Sequence, residues 1–332
     1  MINQISIDNT IIIFFVAIIL IFISKKIAPY LKLIDYPDQK LKVHSNPIPA
    51  TGGLAILLVI VIGVTLNIQS NLTYQHISTI LFLLGVFSLG ILDDKLNLKI
   101  ITRVVIQFLL SSILLFFIQP LNIFNIYFFD LILSIIFCMA CINAINILDI
   151  MDGLAGGVAF FSILNCLIFI DSDFIFYSII GYLSLVALLA FLLFNFNPAK
   201  IFMGNAGSTF IGGLIAILVL IIFQRAHTIQ EKLSYLFPVA VMFFELLFVI
   251  IVRLKKGLNP MKGSPDHLAL RIRKLNFTVK ETVLIIYSFS GFCVIYSILV
   301  NISQIPILLI IIFLMILLII GIRMSKDSMR LN

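Results

Sequence analysis

Residues 143–154 read Asn143-Ala144-Ile145-Asn146-Ile147-Leu148-Asp149-Ile150-Met151-Asp152-Gly153-Leu154. Nearly pure hydrocarbon segments flank this stretch, from 131 to 142 and from 158 to 170. Two carboxylates and two carboxamides therefore lie where a membrane helix meets water. Polar groups at membrane depth are energetically costly and usually functional. The stretch thus indicates a membrane fold and a site at the end of one of its helices.

The composition of the whole chain is that of a polytopic membrane protein. Of its 332 residues, 62% are hydrophobic and only 11% are charged, whereas a soluble domain has roughly 45–50% apolar and about 25% charged residues. Because a helix needs about 20 residues to cross a ~30 Å hydrocarbon core, we predict an all-α protein with about eleven transmembrane helices. The predicted spans are 9–28, 52–68, 76–92, 101–119, 127–147, 154–170, 174–194, 208–224, 235–252, 282–300 and 305–323. They leave no room for a soluble domain, so residues 1–332 are expected to form a single integral-membrane domain.

The distribution of lysine and arginine predicts the orientation of these spans. With residue 1 outside, 20 of the 22 Lys and Arg residues fall in inside loops, and only Arg225 and Lys232 fall outside. Cytoplasmic loops carry the excess of basic residues, so we expect the N-terminus outside and the C-terminus in the cytoplasm. The same bias explains the net charge of +7, and nucleic acid is therefore not an expected partner.

Five loops with polar motifs fall on the predicted inside face. They lie near 29–53, 90–103, 143–157, 194–209 and 253–281. In the first loop, Lys42 and His44 are suited to holding phosphate, although an ordinary basic loop against anionic lipid is the alternative. In the third loop, Asn143, Asn146, Asp149 and Asp152 recur every third residue, which places them along one side of a helix. Capping of the next helix is the structural alternative for that loop.

The second loop contains the adjacent carboxylates Asp93 and Asp94, followed by Arg103. Adjacent carboxylates repel each other, so they are usually retained to bind a cation or share a proton. Mg²⁺ is commonly held by one or two carboxylates together with substrate phosphates. A purely structural role is less favoured, because an Asp at a helix C-terminus opposes the helix dipole.

The fourth and fifth loops are suited to anions. In the fourth, the Gly204–Thr209 turn leads directly into a helix, whose N-terminal N–H groups favour an anion, and Phe202 beside it is placed to stack on a base. The fifth carries eight Lys or Arg residues, for which a solvated basic loop is the default interpretation. His267, Arg271 and Arg273 in this loop could also close over a diphosphate.

In this order, the motifs resemble those of the polyprenyl-phosphate N-acetylhexosamine-1-phosphate transferases, glycosyltransferase family 4, over roughly residues 29–280. The resemblance implies transfer of HexNAc-1-phosphate, with GlcNAc-1-phosphate favoured, from a UDP-sugar to undecaprenyl phosphate with release of UMP. It implies Mg²⁺, with Mn²⁺ as the alternative, and an enzyme that initiates a lipid-linked surface glycan. Its place would be the cytoplasmic membrane of a bacterium, among membrane lipid, with the active site facing the cytoplasm. A homodimer is left open.

The resemblance also assigns roles to residues. Asp93 and Asp94 would be the catalytic pair that positions or deprotonates the lipid phosphate, and Arg103 would hold that phosphate. Asn146 and Asn205 would bind the metal. Substrate contacts are implied for the following residues: Lys42, His44, Asn143, Asp149, Asp152, Phe202, His267, Arg271 and Arg273.

Three departures from the family pattern stand out. Asn205 occupies the position where the family usually has Asp, Ile150 follows Asp149 where Gly is usual, and the histidine-rich element is reduced to His267. Asn205 motivates the alternative of a degraded homologue that binds lipid phosphate or sugar nucleotide without turnover. A transporter is less favoured, because transporters place polar groups in broken helices near the bilayer midplane.

Overall fold

Ten of the eleven predicted spans coincide with helices in the computed structural model. The structure describes residues 7–37, 46–67, 72–259 and 266–303, so the eleventh predicted span, 305–323, lies outside the described residues. The helices are α1 (Ile7–Leu31), α2 (Gly52–Asn67), α3 (Tyr74–Leu96), α4 (Ile100–Phe117), α5 (Tyr127–Leu148), α6 (Leu154–Phe169), α7 (Ile175–Asn195), α8 (Gly204–Phe223), α9 (Ile229–Ser234), α10 (Ala240–Lys255), α11 (Leu268–Arg273) and α12 (Val279–Ser303).

Eight helical segments within the described residues are long and apolar enough to cross a membrane, and one of them, Ile229–Lys255, comprises α9, the turn after it and α10. The helices α2 and α6 are equally apolar but have only 16 residues each, fewer than the about 20 that a perpendicular span needs. The span predicted over 235–252 is interrupted, because Pro238 lacks a backbone N–H and a short 3-10 turn at Phe237–Val239 separates α9 from α10. One two-residue antiparallel pair, β1 (Ile34–Asp35) with β2 (Ile48–Pro49), adds a strand element that the sequence did not predict.

Helix α8 lies at the centre of the bundle and packs against α2, α3, α5 and α6. Every residue from Ala206 to Phe223 is buried. Small residues allow the close approach of these helices, as is common inside membranes. A Cβ atom on Gly90 of α3 would lie 2.4 Å from the Cα of Ala206, and one on Gly53 of α2 would lie 2.2 Å from the Cα of Gly207. The N-terminal end of α8 is therefore fixed from two sides by backbone contact.

Candidate active site

The N-terminus of α8 holds the carboxylate of Asp94. Gly204 begins the helix with a φ of +73°, and the amides that follow point toward the end of α3. The backbone N–H of Asn205 donates to Oδ1 of Asp94 over 3.2 Å, and that of Ala206 donates to Oδ2 over 3.3 Å. The sequence indicated an anion site at this turn, and a carboxylate of the same chain occupies it. Asp94 thereby joins α3 to α8, at a helix end that favours negative charge.

The neighbouring carboxylate, Asp93, has a different set of donors. It is buried, at 7% exposure, and its Oδ1 accepts a bond of 3.0 Å from the backbone N–H of Leu98. Its Oδ2 accepts from Nη1 of Arg103 over 2.8 Å and from Nδ2 of Asn205 over 3.2 Å. Asn97 ends α3 in a left-handed conformation, with a φ of 48°, and this turn brings Arg103 back onto the acidic pair. Arg103 is thus placed next to Asp93, as charge compensation requires.

The two candidate metal ligands contact each other through their side-chain amides. Asn146 Nδ2 donates to Oδ1 of Asn205 over 2.9 Å and to Oγ of Ser208 over 3.0 Å. Since Asn205 also donates to Asp93, it bridges α5 and α3 at the head of α8. Carboxylate and carboxamide oxygens are the hard ligands that Mg²⁺ prefers, so the donor chemistry fits a magnesium ion. Among the described residues, no group of three or more His, Cys, Asp or Glu side chains could hold a metal ion.

Asp149 ends α5 beside this cluster. Burial, together with the nearby charges of Asp94, Asp152 and Asp35, raises the pKa of its carboxyl to about 7. Asp35 lies on β1 and was missed as a candidate. Its signal was an acidic residue two positions before Pro37 in a basic loop.

Asp152 and Asn143 have structural partners. Oδ2 of Asp152 accepts from Nδ2 of Asn197 and from the backbone N–H of Ala199, each over 2.9 Å, so Asp152 anchors the loop that follows α7. Asn143 lies one helical turn nearer the middle of α5 than Asn146, and its Nδ2 donates to Oε1 of Gln107 on α4 over 2.8 Å. Gln107 is 2% exposed and was missed as a candidate. An amide side chain within an apolar span could have identified it from the sequence, because polar groups at membrane depth are usually functional.

The first loop reaches the site through its backbone. Phe202 N–H donates to the carbonyl of Pro49 over 2.8 Å, and Gly52 N–H donates to the carbonyl of Phe202 over 2.9 Å. The side chain of Phe202 is partly buried. Lys42 and His44 lie outside the described residues.

The basic residues of the last loop divide into two groups. His267 and Arg271 are buried: Nδ1 of His267 lies 3.1 Å from Oε1 of Glu245, and Nη2 of Arg271 lies 3.6 Å from Oδ1 of Asp266. Arg273 is exposed and donates to a nearby backbone carbonyl. No hydrogen bond or ion pair within the described part of the chain joins these three residues to Asp93 or Asp94. Glu245 was missed, although an acidic residue inside an apolar span is a clear functional signal.

The helix ends that carry these motifs therefore meet in one polar cluster of carboxylates, carboxamides and an arginine. Such a cluster at the end of a membrane helix bundle is suited to phosphoryl chemistry on a lipid, since phosphoryl transfer depends on positioning and charge neutralisation. The fold and the cluster together indicate a membrane protein suited to chemistry on phosphate groups.

Comparison with known proteins shows which family the chain resembles. The model of glycosyl transferase family 4 matches residues 76–223, the part of the chain from α3 to α8. A protein of Bacillus subtilis (strain 168) named "Probable undecaprenyl-phosphate N-acetylglucosaminyl 1-phosphate transferase" is 28% identical over 305 residues, covering 89% of this chain and 84% of that protein. The decaprenyl-phosphate N-acetylglucosaminephosphotransferase of Mycobacterium leprae (strain TN) is 27% identical over 80% of this chain and 76% of its own length. The undecaprenyl-phosphate alpha-N-acetylglucosaminyl 1-phosphate transferase of Salmonella typhi is 24% identical over 82% of this chain and 78% of its own length.

These matches confirm the resemblance that the motifs predicted. Over residues 76–223 the chain is similar to glycosyl transferase family 4, and the names of this family and of the relatives indicate a phosphoglycosyltransferase. The matched region contains Asp93, Asp94, Asn146, Asn205 and Arg103, so the polar cluster lies inside it.

Proposed function

We propose that the protein transfers HexNAc-1-phosphate, with GlcNAc-1-phosphate favoured, from a UDP-sugar to undecaprenyl phosphate, releases UMP and so initiates a lipid-linked surface glycan. The observation that carries this proposal is the convergence of Asp93, Asp94, Asn146, Asn205 and Arg103 at one end of the bundle. The names of the relatives support the same acceptor and the same sugar phosphate.

In this proposal the lipid phosphate approaches Arg103, the cation of the described residues that is bonded directly to the acidic pair. Asp93 and Asp94 orient the acceptor or take its proton, and the phosphate then attacks the β-phosphorus of the sugar nucleotide in line. Asp149, with its raised pKa, faces the incoming donor. Phe202 stacks on uracil, while Lys42, His44 and the 267–273 segment contact phosphates and sugar.

Asn146 and Asn205 would hold the divalent metal together with Asp93, with Mg²⁺ preferred and Mn²⁺ as the alternative. When bound, such an ion neutralises charge on the diphosphate. The oxygen donors fit this role, and the carboxamide at 205 makes the site less negative by one charge than the family pattern. We therefore expect weaker metal binding than in relatives with Asp at this position.

We also propose the membrane arrangement that the basic residues predict: eleven spans in a single domain of residues 1–332, with the N-terminus outside and the C-terminus in the cytoplasm. The polar cluster would face the cytoplasm of a bacterium, at the inner membrane. The distribution of charge in the described residues supports this, since Arg225 and Lys232 lie at the opposite end of the bundle from the cluster. A homodimer is left open.

The test uses the purified protein in membranes with Mg²⁺, undecaprenyl phosphate and radiolabelled UDP-GlcNAc or UDP-GalNAc. We expect a lipid-linked product that is lost in Asp94→Ala and is retained in Asn67→Asp, a variant at the opposite end of the bundle. Absence of product with every UDP-HexNAc would overturn the proposal.

The alternative function is that of a degraded homologue that binds its ligands without turnover. The observation that favours it is the hydrogen bond from Asn205 to Asp93, in which an amide occupies the place where the family usually has a carboxylate. Retained binding of undecaprenyl phosphate or UDP-GlcNAc, in the absence of product, would favour this alternative.

A further inference from the structure

Helix α12, which lies outside the matched region of the family, makes a direct hydrogen bond to the loop between α5 and α6. The hydroxyl of Tyr287 donates to the carbonyl of Gly153 over 2.5 Å. Gly153 follows Asp152 directly and has a φ of +81°, a conformation that favours glycine. The same carbonyl accepts the first helical bond of α6, from the N–H of Gly157 over 3.1 Å. Tyr287 thus attaches to the point where the loop that carries Asp149 and Asp152 becomes a helix.

The surface of α6 is shaped to receive the Tyr287 ring. A Cβ atom on Gly157 would lie 1.8 to 2.1 Å from three atoms of Tyr287, a separation that no real contact allows. The ring packs directly on the bare backbone at this glycine, and the ring of Phe161 meets it edge-on, with centroids 5.8 Å apart. The position of the ring is therefore determined by packing as well as by its hydrogen bond.

A second attachment fixes the same loop from the other side. The N–H of Gly153 donates to Oδ1 of Asn195 over 3.0 Å, and Nδ2 of Asn195 donates in turn to the carbonyl of Ile201 over 2.8 Å. One residue, Gly153, is thereby held through its N–H by α7 and through its carbonyl by α12. Removing the Tyr287 attachment should therefore loosen the backbone between Asp149 and Gly153, although Asn195 and the bonds of Asp152 still hold part of it.

We propose that Tyr287 is a positioning residue for the transferase reaction. It fixes the carbonyl of Gly153, and through it the placement of Asp149 and Asp152 relative to the acidic pair on α3. The kinetic consequence rests on the proposed function, whereas the structural consequence does not. Because α11, with His267 and Arg271, packs against α12, the same tyrosine links the basic segment to the loop that faces the donor.

The experiment compares Tyr287→Phe with wild type by hydrogen–deuterium exchange and by kinetics. Loss of one hydrogen bond of ~1 kcal/mol corresponds to about a fivefold change. We therefore expect exchange of the amides in peptides covering 149–157 to become about fivefold faster. We expect the KM for the UDP-sugar to rise by a similar factor, with a smaller change in kcat. Tyr296→Phe removes a tyrosine hydroxyl from the same helix and should leave both quantities unchanged.

A second pair of variants tests the packing. Gly157→Ala must displace the Tyr287 ring and should also accelerate exchange in 149–157. In the matched control Gly156→Ala, the added methyl meets the movable side chain of Leu192 at 3.1 Å, and exchange should change little.

Exchange in Tyr287→Phe equal to wild type overturns the inference, and so does an equal acceleration in Tyr296→Phe. If exchange is faster in Tyr287→Phe but the KM of the active enzyme is unchanged, Tyr287 has a structural role only, and the positioning role is refuted. If wild type has no transferase activity, the proposed function fails, and the exchange measurements still decide whether Tyr287 holds the loop.

Discussion

Replacing Asn205 by Asp restores the residue usual in the family and should change the response of the protein to Mg²⁺. In the present structure Nδ2 of Asn205 lies 3.2 Å from Oδ2 of Asp93 and donates to it. A carboxylate cannot donate, so Asn205→Asp places two negative groups face to face. Two unit charges about 4 Å apart repel by about 4 kcal/mol at an effective dielectric constant of ~20.

Arg103 and water reduce this repulsion. Arg103 is bonded to the same oxygen of Asp93, and its side chain is 32% exposed, so we take about half of the repulsion as effective, ~2 kcal/mol in the metal-free protein. A divalent cation between the two carboxylates removes the repulsion and adds attraction. The half-maximal Mg²⁺ concentration should therefore fall at least tenfold in the variant, since ~1.4 kcal/mol corresponds to a factor of ten.

Thermal unfolding measures the response to Mg²⁺ directly, without requiring turnover. All four cysteines, Cys138, Cys141, Cys166 and Cys293, are buried, so a thiol-reactive fluorogenic dye reports their exposure on unfolding. Without metal, Asn205→Asp should unfold at a lower temperature than wild type, and Mg²⁺ should raise its unfolding temperature more and at lower concentration. The transferase assay should show the same shift in Mg²⁺ requirement.

Asn67→Asp is the matched control, because Asn67 lies at the other end of the bundle, where it donates to the carbonyl of Gly63 in its own helix over 2.7 Å. It makes the same change of amide to carboxylate away from the acidic pair. Equal Mg²⁺ responses in wild type and Asn205→Asp would refute position 205 as a metal ligand. Equal responses in Asn205→Asp and Asn67→Asp would show that added charge alone is responsible.

Three further predictions follow from contacts of the same cluster. Asp152→Asn keeps an oxygen that can accept hydrogen bonds from the loop after α7, so activity should fall less than tenfold. Asp152→Ala removes that oxygen and should lose most activity and stability. Equal losses of the two variants in transferase assays would contradict an anchoring role. Gly53→Ala places a methyl 2.2 Å from the Cα of Gly207 and should destabilise by about 1–3 kcal/mol, the range typical of overpacking. Gly291→Ala, whose added methyl would lie 3.8 Å from the ring of Phe161, should unfold at nearly the wild-type temperature. The pKa of Asp149 rises from 3.8 in the unfolded chain to about 7 in the folded protein, so folding takes up a proton between these pH values. The stability of the substrate-free protein should therefore fall as pH rises from about 4 through about 7. Asp149→Asn should reduce that pH dependence in thermal unfolding scans.

The helices could be predicted from the sequence because lipid imposes a local rule. A spanning segment must satisfy its own backbone hydrogen bonds, so apolar length alone locates it, and ten predicted spans coincide with helices. The interruption at Pro238 follows from an equally local property, the missing N–H of proline, but it was not predicted within the 235–252 span. The short lengths of α2 and α6 were compatible with the hydropathy pattern, which did not distinguish these two helices from full spans.

The convergence of the motifs was predictable from topology, but their partners were not. Alternating spans bring every second loop to one face, which is why Asp93, Asn146 and Asn205 could be expected together. That Asp94 caps α8, and that Glu245 pairs with His267, depends on the rotation of one helix about its axis relative to another. Rotation is set by side-chain packing across the bundle, which a single sequence does not display.

Asp93 and Asp94 have different hydrogen-bond donors, and this difference explains how the chain can carry Asn at position 205. Adjacent carboxylates normally need a cation to offset their repulsion. Here Asp94 is compensated by two backbone amides of α8, and Asp93 by Arg103 and the amide of Asn205. Both carboxylates therefore accept hydrogen bonds from the protein before any metal binds, and a third carboxylate at position 205 would remove one of these donors. The amide favours a preorganised metal-free site at the expense of metal affinity, so the dependence on Mg²⁺ concentration, more than the maximal rate, is where this chain should differ from relatives that carry Asp.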